Sequence, residues 1–169
     1  MVYIMKILSL LFNKIKKFFG KIKKLLSLSW TLKIMVFEAL ILTGFVRFAI
    51  LFVPFNKLAR RIGKYKDEST YEVSDLERAT IGNISWAVNR VSKRTPWESK
   101  CLVQALTVQF MLNKRKISST VYLGLTKNKE RKLKAHAWLR CGREIITGND
   151  ELGNFTVVAK FANNFSEGI

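Results

Sequence analysis

The sequence predicts an α+β fold in which helices come first and a small antiparallel sheet follows. Two observations predict it. Apolar residues recur with helical period as far as Leu112, whereas beyond Ser118 the pattern changes to alternation. The helix-start signals, "SDLE" from Ser74 and "TPWE" from Thr95, both fall in the first part. Segregated helices and strands argue for α+β and against a parallel α/β sheet.

Residues 1 to 26 open the chain as a basic amphipathic helix. Ile4, Leu8, Leu11, Ile15, Phe18, Ile22 and Leu25 step by four and three, and Lys14, Lys17, Lys21 and Lys24 keep the same rhythm on another face. Such a helix serves either as a surface that meets a membrane or a partner, or as an arm packed on its own domain. Residues 34 to 55 are long enough to cross a bilayer, but Glu38 and Arg47 interrupt them. A buried core helix, or a helical pair breaking at Gly44, is the expectation, with Pro54 as its end. The polar run after Pro54 divides the chain into an N-terminal helical part, 1–64, and a second domain, 65–169.

In that second domain Ser74 and Glu77 form a capping-box pattern, and Ile81, Ile84, Val88 and Val91 give the helix one apolar face. The next start signal has Thr95 as cap, Pro96 in the first turn and Glu98 closing the box. The stretch from Cys101 to Leu112 has so few polar positions that its helix must be buried nearly all round. Alternation then marks strands at 119–125, 133–140 and from Arg143, with a further strand at 155–161 completing a meander.

The net charge of +18 is concentrated early: residues 1–64 hold 13 Lys and Arg against Glu38 alone. Nucleic acid, anionic lipid or an acidic peptide would each gain from it. No P-loop, zinc-finger spacing or RNA-binding signature accompanies it, so charge is the sole motive for nucleic acid and none is expected as partner. Two cysteines do not make a disulfide framework, and no small-residue cleavage site follows the first apolar run. The expectation is a cytoplasmic protein with free thiols, peripheral to the membrane if its first helices bind lipid. It needs no cofactor and no metal.

The candidate chemistry lies in Cys101 and in His136, the one histidine in the chain. Alternation puts Lys134, His136, Trp138 and Arg140 on one face of their strand and Ala135, Ala137 and Leu139 on the other, which points inward. A thiol near a helix N-terminus meets the positive end of the dipole, and a neighbouring imidazolium further favours the thiolate nucleophile. The benefit depends on whether Ser99 or Thr95 caps the helix. Cysteine on a buried helix, then histidine on a later strand, is the chain order of the papain and transglutaminase class of thiol enzymes. A third group must hold the ring by its other nitrogen. Counting back from a hairpin turn near Cys141 and Gly142 brings Thr147, Gly148 and Asn149 opposite His136, with Asp150 next.

With "CLVQAL" and "AHAW" at this spacing, residues 73 to 148 resemble the transglutaminase-like core of the lasso peptide leader peptidases, the B proteins that process lasso precursors. Trp97, Cys101, Gln104, Ala105, Leu123, Gly124, His136, Ala137 and Trp138 stand at the family's motif positions. The resemblance extends more loosely to residues 27 to 63. It implies a transglutaminase-like, papain-like core with Cys101 as nucleophile and His136 as general base and acid. Trp97 and Trp138 become candidate walls of the substrate cleft. The family's third member is an Asp, which here falls near Gly148. Glycine brings no carboxylate, so Asp150 is the candidate, with Asn149 as substitute, or the pair works as a dyad.

The implied activity is that of a cysteine endopeptidase cutting a precursor between leader and core, which frees the core's amino terminus for a separate lasso cyclase. The helical start does not read as the family's leader-recognition module, so a separate leader-recognition protein is expected, docking on the helices of residues 1–55 or leaving them to a membrane surface. The alternatives are a transglutaminase or acyltransferase using the same Cys and His, and a non-enzymatic protein that binds membrane surfaces.

Overall fold

A computed structural model describes residues 27–127, 130–149 and 155–165. The basic helix expected over residues 1–26 and the candidate Asp150 lie outside the described residues. The chain divides into two compact units, Met1–Ile34 and Met35–Ile169. In the described part of the first, Ser29 Oγ accepts a hydrogen bond from the backbone of Leu32 at 3.3 Å and caps the start of a helix.

That helix, α1 (Trp30–Phe52), runs unbroken past Gly44. Met35, Ala39, Thr43 and Val46 are its buried stripe, spaced by four, four and three. Thr43 satisfies its hydroxyl on the Leu40 carbonyl, 3.0 Å away. Glu38, expected to interrupt a membrane span, is largely buried and held by Arg115 at 2.7 Å and Lys114 at 3.1 Å. Gly44 leaves room for Trp97, because a Cβ there would stand 3.2 Å from Cζ2 of the indole. The expectation of a core helix thus holds for one face only; the other presents Phe37, Ile41, Phe45, Phe48 and Phe52 to the surroundings.

The polar run after Pro54 folds as a short helix, α2 (Phe55–Ile62), that the sequence reading passes over. Leu58 and Ile62, one turn apart, are its buried residues, with Ala59 partly buried beside them among exposed basic neighbours. Both belong to the same hydrophobic core as α4 and the sheet. The division of the chain at residue 64 is therefore one of composition rather than of packing.

Helix α3 (Asp75–Ser92) follows the two-residue strand β1 (Lys64–Tyr65) and starts where the capping box places it. Ser74 N donates to Glu77 Oε2 at 2.8 Å, and Glu77 N donates back to Ser74 Oγ at 3.3 Å. Ile81, Ile84, Val88 and Val91 are buried as the spacing predicts. Helix α4 (Cys101–Asn113) does not start at Thr95 or Ser99. Thr95 Oγ1 instead donates within its own turn to Trp97 O at 3.1 Å and lies 2.9 Å from Ser99 Oγ. Glu98 pairs with Arg47 and Lys100 rather than closing a box. Lys100 is the N-cap, with no side-chain cap.

The strands are β2 (Ser119–Lys127), β3 (Leu133–Cys141), β4 (Glu144–Thr147) and β5 (Thr156–Asn163). They form one antiparallel sheet in the order β1-β5-β2-β3-β4. This corrects the meander: β5 pairs with β2 on the side away from β3, Val121 against Phe161, rather than extending from β4. Only a continuous apolar surface rewards that crossing, and Val121, Ala137, Leu139 and Phe161 supply it beneath Val103, Leu106 and Leu112 of α4. The fold is α+β, with the Cys101 helix packed on the sheet that carries His136.

Candidate active site

Cys101 is the first residue of α4, partly exposed and not in a disulfide. The Gln104 backbone closes the first intrahelical bond, donating to Lys100 O at 3.0 Å. The N–H groups of Cys101, Leu102 and Val103 lie ahead of it in the first turn, where a helix leaves its donors free. No acidic residue occupies that turn. The thiol thus stands at the positive end of the helix beside donors suited to an oxyanion.

His136 projects from β3 on the face opposite the core, as the alternation requires. Ala137 and Leu139 enter the hydrophobic core, while Trp138 lies stacked under the imidazole with ring centroids 6.0 Å apart. Trp138 is only 7% exposed, sandwiched toward Tyr122 at 5.6 Å. It settles flat on Gly124, where a Cβ would come within 2.7 Å of its ring. Phe155 closes another side of the imidazole at 5.0 Å. Arg140, on the same face, is buried and donates to Tyr122 Oη at 3.0 Å, Ser69 O at 2.8 Å and Gly142 O at 2.6 Å. That network fixes the strand beneath the histidine.

His136 Nε2 lies 2.9 Å from the carbonyl oxygen of Gly148. A carbonyl has no proton to give, so Nε2 is the donor. Gly148 follows β4 directly, after a bulge between Leu139 and Arg140 shifts the β3–β4 register. No hydrogen bond joins Cys101 to His136 among the described residues. A small cavity of about 140 Å³ lies between Gln104 of α4 and the Gly148 turn, lined also by Ser85 and Asn89 of α3 and by Ile146, Thr147 and Asn149. Ser85 and Ile146 also border a larger groove of about 710 Å³ beside β4, with Trp86, Arg78 and Cys141 along it.

The other expected residues part company. Trp97 sits against Gly44 of α1, with a buried indole nitrogen that has no hydrogen-bond partner among the described residues. Asn149 is exposed at the rim of the small cavity. Phe155 and the Gly148 carbonyl escape a search built on chemically active side chains. The hairpin count did point at residue 148, but a glycine there suggested a gap. Among the described residues no three His, Cys, Asp or Glu side chains cluster as a metal would need.

Neither the curated proteins nor the solved structures gave a match to this chain. A family model described as the transglutaminase-like superfamily matches residues 45–160, a span that contains Cys101, His136 and all the strands from β1 to β4. The superfamily is one of cysteine-protease and transglutaminase-like hydrolytic activity, associated with the lasso leader peptidases, and this chain belongs to it.

Proposed function

We propose that the protein is a cysteine peptidase that removes the leader from a lasso precursor peptide and so frees the core's amino terminus for a separate cyclase. One observation supports the reading beyond family membership. The first residue of the buried helix is a cysteine, and the sheet on which that helix packs carries the one histidine with its Nε2 held by the Gly148 carbonyl, which leaves Nδ1 as the nitrogen that would serve the thiol.

In the reaction the Cys101 thiol gives its proton to His136 Nδ1, and the thiolate so formed attacks the carbonyl carbon of the scissile peptide bond. The oxyanion draws on the Cys101 N–H at the helix start. As the C–N bond breaks, the imidazolium returns its proton to the departing amine, which is the core's new amino terminus. A water molecule, deprotonated by the same nitrogen, then hydrolyses the thioester and releases the leader. The groove beside β4 has the size of a ligand cleft and shares Ser85 and Ile146 with the small cavity next to Gly148, which makes this side of the sheet the candidate bed for an extended peptide.

Incubation of a lasso-type precursor with a separate leader-recognition protein and this enzyme is the test, read by mass. Free core and free leader are expected with wild type, and neither with folded Cys101→Ala or His136→Ala. Incorporation of a supplied amine at the leader's end would instead identify a transferase. Intact precursor with every protein, leader bound, would remove the peptidase reading.

The outward face of α1 supports a second element of the reading, a peripheral contact with a membrane surface. By length and composition α1 would cross a bilayer. The inner face is committed to the domain through Ala39, Val46, Glu38 and Arg47, so the outer aromatic face is what remains for lipid.

A further inference from the structure

We propose that the backbone carbonyl of Gly148 is the third member of this site, the group that orients the His136 imidazole. The inference rests on the reading of Cys101 and His136 as nucleophile and base. The carbonyl oxygen already stands 2.9 Å from Nε2, within the range of a good hydrogen bond. It occupies the place where the resemblance puts a carboxylate.

Two features make residue 148 a glycine for this purpose. Its φ of +77° is left-handed, a conformation that side chains resist, and it lets the chain leave β4 toward the ring. There is also no space for a Cβ: it would meet Ala137 O at 2.6 Å, Trp138 Cβ at 2.9 Å and His136 Nε2 itself at 3.0 Å. Any side chain at 148, an aspartate included, would push the imidazole off the position that the carbonyl now sets. Trp138 and Phe155 flank the ring and oppose its rotation out of that bond.

The chemical consequence is a fixed tautomer. With a carbonyl as acceptor, the neutral ring carries its proton on Nε2, and Nδ1 is the bare nitrogen that accepts the thiol proton. The acceptor is a dipole rather than a full charge. Gly148 therefore contributes by aiming the base.

Because the chain has one histidine, ¹⁵N-labelled imidazole gives a single assignable pair of ring nitrogens. Spectra of wild type and of Cys101→Ala, at a pH where the ring is neutral, are expected to show Nε2 protonated and Nδ1 bare. A proton on Nδ1, or an averaged mixture as in free imidazole, would overturn the proposal whatever the enzyme's activity. Gly148→Ala is expected to give that mixture and to lower kcat by about 100-fold with KM little changed, the scale of loss for a misplaced catalytic group. Wild-type kcat and tautomer in folded Gly148→Ala would refute it. The rival side chains are tested in the same way: loss of the Nε2–H tautomer in Asp150→Ala or Asn149→Ala hands the role to that side chain, and its retention in both supports the carbonyl. An Nε2–H tautomer in an enzyme that cuts no precursor would refute the peptidase reading while leaving the orienting contact in place.

Discussion

At the scale of single residues, the two thiols occupy opposite settings. Cys141 ends β3 at 3% exposure, with Sγ donating to Ser118 O at 3.1 Å. Burial, with the Glu77 carboxylate adding to it, pushes its thiol up to about 11, so at neutral pH it stays protonated and unreactive. Cys101 is reachable at the start of its helix. Iodoacetamide on the native protein at neutral pH should therefore label Cys101 and spare Cys141 until denaturant is added, as peptide mapping would show. Prior labelling of Cys141 would mean that the strand end opens readily and that the wrong thiol has been chosen. The sequence distinguished the two by their neighbours, a helix start against a turn, and that difference is why Cys101 is the candidate. It put Cys141 at the turn but could not show the burial there, because the closeness of Val73 over Gly142 is a long-range contact that no local pattern records.

Elements show where such patterns suffice. The start and buried face of helix α3 were legible, since both its cap and its face are written in neighbouring positions. The start of helix α4 was not: Thr95, Pro96 and Glu98 spell a helix start, yet Trp97 packs on Gly44 and Glu98 pairs with Arg47, and these contacts with α1 accompany an irregular, non-helical segment at 95–100. Tertiary contact overrode the local signal and moved Cys101 to the first position of its helix. The β2–β3 pair sets the histidine in a comparable way, for Gly124 lies directly opposite His136 and gives Trp138 its seat. Gly124→Ala should cost about 1–3 kcal/mol by overpacking. It should also lower kcat more than it raises KM, because the displaced indole carries the imidazole with it; an unchanged melting temperature and kcat would show that Trp138 does not support His136. For α1, sedimentation with vesicles of anionic lipid should pull down the wild type, and Phe45→Asp with Phe48→Asp should weaken it while precursor cleavage persists. Equal binding of the double variant would remove the aromatic face from the contact.

For the whole molecule, acid is the condition that sets the charge imbalance against the fold. The sheet order could not be read from the sequence, since alternation reports faces and not neighbours, and the same ignorance hid which charges meet. Arg115 after α4 and Glu38 in α1 are 77 positions apart and form one ion pair. Burial alone would raise the Glu38 carboxyl, but hydrogen bonds and charge from Arg115 and Lys114 outweigh it and hold the group below its usual value. Lys160 similarly holds Glu68 low on the other side of the sheet. A lowered native value means stability that is present in full above the unfolded carboxylate range of about 4.3 and is lost as pH falls through the native value. Each protonation also adds to a chain already at +18, so repulsion grows as the ion pairs fail. The melting temperature should hold steady from neutrality to about pH 5 and then drop steeply. Glu38→Gln should start lower, by an amount between the ~1 kcal/mol of a surface pair and the ~3 kcal/mol of a buried one, and should show a shallower acid drop. If the variant and wild type run parallel down to pH 3, Glu38 carries none of the acid sensitivity, and the tie between α1 and the end of α4 rests on apolar packing alone.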